Sequence, residues 1–225
     1  MEINNIQKIA VIVAAGNGSR MNSDIPKQFL LLKGKPVLYY TIRAFLNAYS
    51  DMEIILVLAS DHIQKGREII DGFFDDSRIS ICDGGDTRFE SVKNGLRKIN
   101  KEAIVFVHDG VRCLVSEKLI KRCFDGALEF GNAVPATPCH SSVRLLEDGE
   151  NKILDRSALR LVQTPQTFHS KILIPSFEIP YKEQFTDEAS VVEAFGLKIN
   201  LVEGEETNFK ITTPLDLLLA GQLID

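Results

Sequence analysis

Residues 9–21 read IAVIVAAGNGSRM. The opening run, Ile9 to Ala15, is apolar without a break and ends in glycines, the pattern of a strand buried on both faces. Working outward from it, Leu38, Ile42, Phe45, Leu46 and Tyr49 recur at helical spacing and predict an amphipathic helix. Glu53 to Ala59 (EIILVLA) predicts a second buried strand, and Asp61 to Phe74 the next helix. Ile79 to Cys82 is a short strand, and Val92, Leu96 and Ile99 mark another helix face. Ala103 to His108 (AIVFVH) is again β-rich, followed by a helix over about Ser116 to Phe130.

Strands alternating with helices at this rhythm specify an α/β fold: a mostly parallel, twisted sheet with helices on both faces. From Ala133 to about Gln163 the rhythm breaks. Alternating segments around Ser142 to Leu146 and Lys152 to Asp155, split by the turn Glu147-Asp148-Gly149-Glu150, predict a projecting β-hairpin arm inserted at about 136–160. A helix from Asp187 to Phe195, a strand from Lys198 to Val202 and a helix after Pro214 complete a single domain over 1–225.

The 225 residues, 44% hydrophobic and 25% charged, are those of an ordinary globular protein able to bury a sizeable core without staples. A net charge of −5 argues against a surface that grips a nucleic acid polymer, while leaving room for a local basic pocket. Cys82, Cys113, Cys123 and Cys139 form no CxxC pair and no zinc-ligand spacing, so all four read as reduced, and no dedicated metal site is expected. Met1 to Gln7 is polar and no apolar run is long enough to cross a bilayer, so the expected location is cytoplasmic.

Ligands of open α/β sheets bind at the carboxyl ends of strands, which directs attention to the loops after Ala15, Cys82 and His108. In the first, glycines let backbone N–H groups approach phosphate oxygens, and Arg20 and Lys27 add neutralising charge. A dinucleotide fingerprint would need a third glycine where Met21 stands, and a Walker loop would need a Gly-Lys-Ser/Thr ending. A tight strand-to-helix connection explains the glycines equally well. In the second loop, Gly84-Gly85-Asp86-Thr87-Arg88-Phe89-Glu90-Ser91, the glycines and a Thr87 or Asp86 cap could simply start a helix, or Gly85, Asp86 and Ser91 could face a pyrimidine with Arg88 as anchor. In the third, Asp109 and Arg112 are either site residues or a local salt bridge. Thr186 could merely cap a helix, and Lys210 could lie on a solvated edge.

The order of these blocks carries more than each alone. Gly16-Asn17-Gly18-Ser19-Arg20-Met21 with Pro26-Lys27-Gln28 resembles the signature of the Rossmann-like nucleotidyltransferase fold, in its cytidylyltransferase form. With Gly84–Val92, Asp109–Arg112, Asp155-Arg156, Gln163-Thr164-Pro165-Gln166, Thr186–Ser190 and Asn208–Thr212, the chain resembles the 2-C-methyl-D-erythritol 4-phosphate cytidylyltransferases of the non-mevalonate isoprenoid route, from Ile9 to about Ala220. Ribitol 5-phosphate cytidylyltransferases share several of these blocks, but Thr186-Asp187-Glu188-Ala189-Ser190 looks more like the methylerythritol group. One departure stands out. The family pattern Asp-Ala-Ala-Arg-Pro is here Asp109-Gly110-Val111-Arg112-Cys113, which is expected to loosen that loop and alter packing near the substrate.

The resemblance implies transfer of CMP from CTP to a polyol phosphate with release of pyrophosphate. A phosphate nucleophile is already ionised at neutral pH, so the protein's task is to align two anions and neutralise their charge. Arg20, Lys27 and Lys210 are the implied catalytic cations. Gly16 and Gly18 would hold the triphosphate, and Ala14, Ala15, Gly85, Asp86, Ser91 and Gly110 the cytosine and ribose. Asp109, Arg112, Arg156 and Thr186 would contact the acceptor, as would Ser142, preferred over Ser141 as the counterpart of a family threonine. The resemblance further implies Mg²⁺ carried on the CTP phosphates and a homodimer formed through the arm, with Ser142 and Arg156 acting across it.

Overall fold

A computed structural model describes residues 6–16, 21, 25–74 and 76–224. In chain order the elements are β1 (Gln7–Val13), β2 (Leu31–Leu32), β3 (Lys35–Pro36), α1 (Val37–Ala48), β4 (Met52–Leu58), α2 (Ile63–Phe73), β5 (Ile79–Asp83), α3 (Arg88–Leu96), β6 (Ala103–Asp109) and α4 (Glu117–Phe130). Then follow β7 (Asn132–Pro138), β8 (Val143–Glu147), β9 (Glu150–Leu154), β10 (Arg160–Val162), β11 (Gln166–His169), α5 (Ser170–Ser176), α6 (Glu188–Ala194), β12 (Leu201–Glu203) and α7 (Pro214–Leu223).

Among the described residues the main sheet has eight strands in the order β10-β7-β11-β6-β1-β4-β5, with β12 beside β7. β1 lies parallel to β4 and β6, and β4 parallel to β5. Successive residues of β1 go to opposite layers, as a doubly covered strand requires. Ala10 and Ile12 join Leu38, Ile42 and Phe45 of α1 and Leu119 and Cys123 of α4, whereas Ile9 and Val11 join Val92 and Leu96 of α3 and Val191 and Val192 of α6. Ile12, Phe45 and Val92 are fully buried, each side chain contributing about 1.5–3 kcal/mol to that burial. α4 starts where Ser116 Oγ accepts the Leu119 N–H at 3.0 Å, capping an otherwise unpaired donor.

The sequence left three strands of the main sheet unread, β7, β10 and β11. β11 runs antiparallel between β6 and β7, and its four residues mix polar and apolar types, so no period marks it. β7 contains Pro135 and Pro138, which read as a break in rhythm, although its residues from Asn132 to Thr137 are buried. The hairpin β8–β9 lies where expected, with Asp148 (φ 51°) and Gly149 (φ 79°) forming its turn, and it stands off the main sheet as a two-stranded sheet of its own.

Candidate active site

The carboxyl ends of β1, β5 and β6 open together onto a cavity of about 300 Å³. Ala14, Ala15, Gly16, Lys27, Gly85, Asp86, Ser91, Asp109 and Lys210 all line it, joined by Gln28 and Arg88. One chain thus brings Lys27 and Lys210, far apart in sequence, to a single concave surface. Gly18 and Arg20 lie outside the described residues.

The first wall is the turn after β1. Gln28, which the sequence reading noted without a role, donates its Nε2 to Ala14 O at 2.8 Å and to Gly16 O at 3.1 Å. It stands in a short 3₁₀ turn, Lys27–Phe29, so the residue beside Lys27 is fastened to the turn after β1. Lys27 is buried at 9% exposure and donates to Ile211 O at 3.1 Å. That bond links it to the segment carrying Lys210.

The second wall is the turn into α3. Thr87 caps the helix: its Oγ1 accepts from Glu90 N and its own N–H donates to Glu90 Oε2, both at 3.1 Å. The helix-start reading of this loop holds, and the capped helix start is also a wall of the cavity. The Ser91 hydroxyl is engaged within the loop, donating to Thr87 O at 2.9 Å and accepting from Gly85 N at 3.1 Å. A Cβ on Gly84 would lie 2.6 Å from Ala15 Cβ, so glycine is what lets the first two loops touch.

The third wall is the end of β6. Asp109 Oδ1 faces Arg88 Nη2 at 3.4 Å, and its Oδ2 faces Lys210 Nζ at 3.1 Å and Arg112 Nε at 3.3 Å. Burial alone would raise the Asp109 carboxyl, but Arg88, Lys210 and Arg112 together hold it well below the usual carboxylate range. Asp109 is therefore an anion at the centre of a cationic cluster; it is locally salt-bridged to Arg112, and it lines the cavity.

Behind this wall runs a chain of hydrogen bonds that the sequence did not reveal. Asp109 N donates to Thr164 Oγ1 at 3.1 Å, Thr164 Oγ1 meets His108 Nδ1 at 3.0 Å, and His108 Nε2 meets Arg112 O at 3.1 Å. A carbonyl only accepts, so Nε2 carries the proton and Nδ1 accepts from the Thr164 hydroxyl. Burial pushes His108 down to about 3, keeping it neutral. Asn208 Nδ2 donates to Thr164 O at 2.8 Å, at the cis Thr164–Pro165 peptide, and Asn208 O accepts from Arg112 Nη1 at 2.9 Å. The loop that lacks the family's proline is tied down by these bonds and by Ile211 N to Val111 O at 3.0 Å, and Val111 and Cys113 are buried.

The remaining assigned residues sit elsewhere. Gly110 lies beneath the wall, donating to Val13 O at 2.9 Å, and Arg112 stands behind Asp109. Ser142 and Arg156 are exposed at the base of the arm, where Arg156 Nη1 donates to His140 O at 2.7 Å. Thr186 is exposed, and Asp187, not Thr186, caps α6. None of these five lines the cavity formed by the described residues of one chain.

A cavity built from a glycine loop, Lys27 and an Asp109-held Lys210 suits a nucleoside triphosphate meeting a second anion. The sequence profile of the 2-C-methyl-D-erythritol 4-phosphate cytidylyltransferase family matches residues 8–225. The chain belongs to that family. Among relatives, it is 44% identical over 217 residues to the 2-C-methyl-D-erythritol 4-phosphate cytidylyltransferase of Bacteroides fragilis, covering 96% of this chain and 99% of that one. It is 46% identical to the enzyme of the same name from Azobacteroides pseudotrichonymphae, over 97% of this chain and 99% of the other. Among solved structures, it matches 2-C-methyl-D-erythritol 4-phosphate cytidylyltransferase from Thermus thermophilus at 31% identity and a TM-score of 0.73, covering 96% and 98% of the two chains. A 4-diphosphocytidyl-2C-methyl-D-erythritol synthase from Anaerococcus prevotii matches at 28% identity and a TM-score of 0.82, covering 96% and 97%. Family membership makes the chain a cytidylyltransferase, and the mostly parallel α/β architecture is that of these structural relatives.

Proposed function

We propose that this protein transfers CMP from CTP to 2-C-methyl-D-erythritol 4-phosphate, releasing pyrophosphate and forming 4-diphosphocytidyl-2-C-methyl-D-erythritol. The observation that carries this reading is the convergence of Lys27 and Lys210 on one cavity around Asp109. An acceptor phosphate oxygen attacks the α-phosphorus in line as pyrophosphate departs. Lys27, with Gly16 and the residues at 18 and 20, neutralises the triphosphate as charge shifts onto the leaving group. Lys210 bridges the α-phosphate and the incoming phosphate. A fixed charge-stabilising contact of this kind is worth about 2.7–4 kcal/mol in the transition state. The Ala14–Ala15 and Gly85–Ser91 walls hold cytosine and ribose, with Gly110 beneath them, while Asp109, backed by Arg112, orients the acceptor's hydroxyls.

Magnesium would enter with CTP as part of the substrate, where it would offset phosphate charge. The donor set suits that route. Among the described residues Asp86 and Asp109 are the carboxylates on the cavity wall, and both Asp109 oxygens already face cations. Among the described residues no group of three or more His, Cys, Asp or Glu could hold a metal.

The chain is further proposed to act as one cytoplasmic domain that dimerises through its arm, placing Ser142, Arg156 and Thr186 against the acceptor. The apolar residues the arm exposes, Leu146 at 79% and Ile153 at 73%, support an interface there. No helix among the described residues is long and apolar enough to cross a membrane. The test is pyrophosphate release from CTP and Mg²⁺ with 2-C-methyl-D-erythritol 4-phosphate, run in parallel with ribitol 5-phosphate and with UTP or ATP. Turnover is expected with the first acceptor and CTP; preference for ribitol 5-phosphate would overturn the assignment.

A further inference from the structure

Glu188 is fully buried, and no step of the reaction above uses it. A buried carboxylate is expensive unless firmly paired, and an apolar side chain would fill the same place at less cost. Its partner is Arg88: Oε1 accepts from Nη1 at 2.5 Å and Oε2 from Nη2 at 3.2 Å. The same Nη2 reaches Asp109 Oδ1 only at 3.4 Å. Arg88 thus stands between two carboxylates and gives its fork to the one outside the cavity.

The placement of Glu188 is itself fixed. It is the first residue of α6, and Gln166 of β11 grips that helix start from both sides, donating to Asp187 Oδ2 at 2.9 Å and accepting from Ala189 N at 2.8 Å.

We propose that Glu188 is a positioning residue for cytidylyl transfer: it holds the Arg88 fork and so leaves Asp109 Oδ2 to Lys210 and Arg112. A guanidinium matches a carboxylate bidentately. Without the Glu188 charge, the carboxylate left for Arg88 is Asp109, and a fork closed on both its oxygens displaces Lys210. Because Lys210 is assigned to the phosphates, this inference rests on the function proposed above.

The experiment is steady-state kinetics of Glu188→Gln, which keeps size and an acceptor oxygen but not charge. The expected result is an approximately 10-fold fall in kcat/KM for the acceptor, with a smaller loss, about threefold at most, in the affinity for CTP alone measured by titration, because Lys210 meets the second phosphate only when the acceptor is bound. Adding Arg88→Lys is expected to restore most of the loss, since an ammonium cannot span both Asp109 oxygens. A variant of wild-type acceptor kcat/KM, or one in which CTP binding falls as much as acceptor use, overturns the proposal. So does a loss that the second substitution deepens. Should Glu188→Gln not fold, Glu188→Asp takes its place, keeping charge but shortening reach, with a threefold acceptor-specific loss expected and none overturning the idea. Wild-type turnover with 2-C-methyl-D-erythritol 4-phosphate tests the function separately. If another polyol phosphate is the better acceptor, the variant is compared with wild type on that acceptor.

Discussion

At the carboxyl end of β6, Asp109 sits among Arg88, Arg112 and Lys210, and its own N–H, the Thr164 hydroxyl and the His108 ring are hydrogen-bonded in series behind it. The β8–β9 hairpin is built the other way. Its strand pairs are regular, yet Leu145, Leu146 and Ile153 face solvent, and Arg156 at its base is held by one carbonyl. The two regions carry residues assigned to the same acceptor. The first is organised by contacts within one chain; the second, with apolar surface and no core of its own, is suited to be organised by a partner.

The largest effect should come from the first region. Lys27→Ala is expected to lower turnover by at least about 10²-fold in a pyrophosphate-release assay, in keeping with one lost charge-stabilising contact. Near-normal turnover would remove Lys27 from the chemistry. The arm is tested next. Leu146→Asp with Ile153→Asp should halve the mass measured by light scattering, and Arg156→Ala should cost about 10-fold in acceptor kcat/KM, the value of one charge-assisted contact. A monomeric arm variant of full activity would show that the arm takes no part in the site.

A smaller effect concerns pH. His108 is held neutral in the fold with its protonation pushed down to about 3, whereas in the unfolded chain it titrates at its ordinary value of 6.5. Between these values the unfolded chain binds one more proton, so stability falls as pH drops from about 6.5, by about 1.4 kcal/mol per unit at most. Asp109, depressed in the fold, adds to the loss only below about 4. Urea unfolding at pH 7, 6 and 5 should show this slope in the wild type, and His108→Gln should reduce it by about one proton. The smallest effect lies outside the site. Ser116→Ala removes the α4 cap and should cost about 1 kcal/mol, a Tm shift of about 2–4 °C, with kcat unchanged.

The contrast between the two regions also marks what could be read in advance. β1, β4 and β6 were legible because burial on both faces leaves an uninterrupted apolar run, and the hairpin because Asp148-Gly149 accepts the backbone angles its turn requires. Nine of the assigned residues meet at the cavity because glycines and charges at strand ends are local signals. The support behind Asp109 was not legible. Thr164 reaches His108 only because β11 turns back antiparallel against β6, and nothing in Gln166–His169 announces that pairing. Gln28 and Glu188 stood inside quoted blocks, but their partners lie 14 and 100 positions away, so local pattern gave them no role.

The triple pairing of Asp109 has a consequence for the protein before any substrate arrives. Lys210, Arg88 and Arg112 would repel one another if left bare, and a loop carrying them would tend to spread. Asp109, with Glu188 behind Arg88, parks them together in a docked arrangement. On the function proposed above, Lys210 trades one oxygen anion for another of similar geometry when a phosphate enters, while Glu188 keeps hold of Arg88. Recruitment of the ammonium then amounts to an exchange of counter-ions, with little rebuilding of the pocket around it.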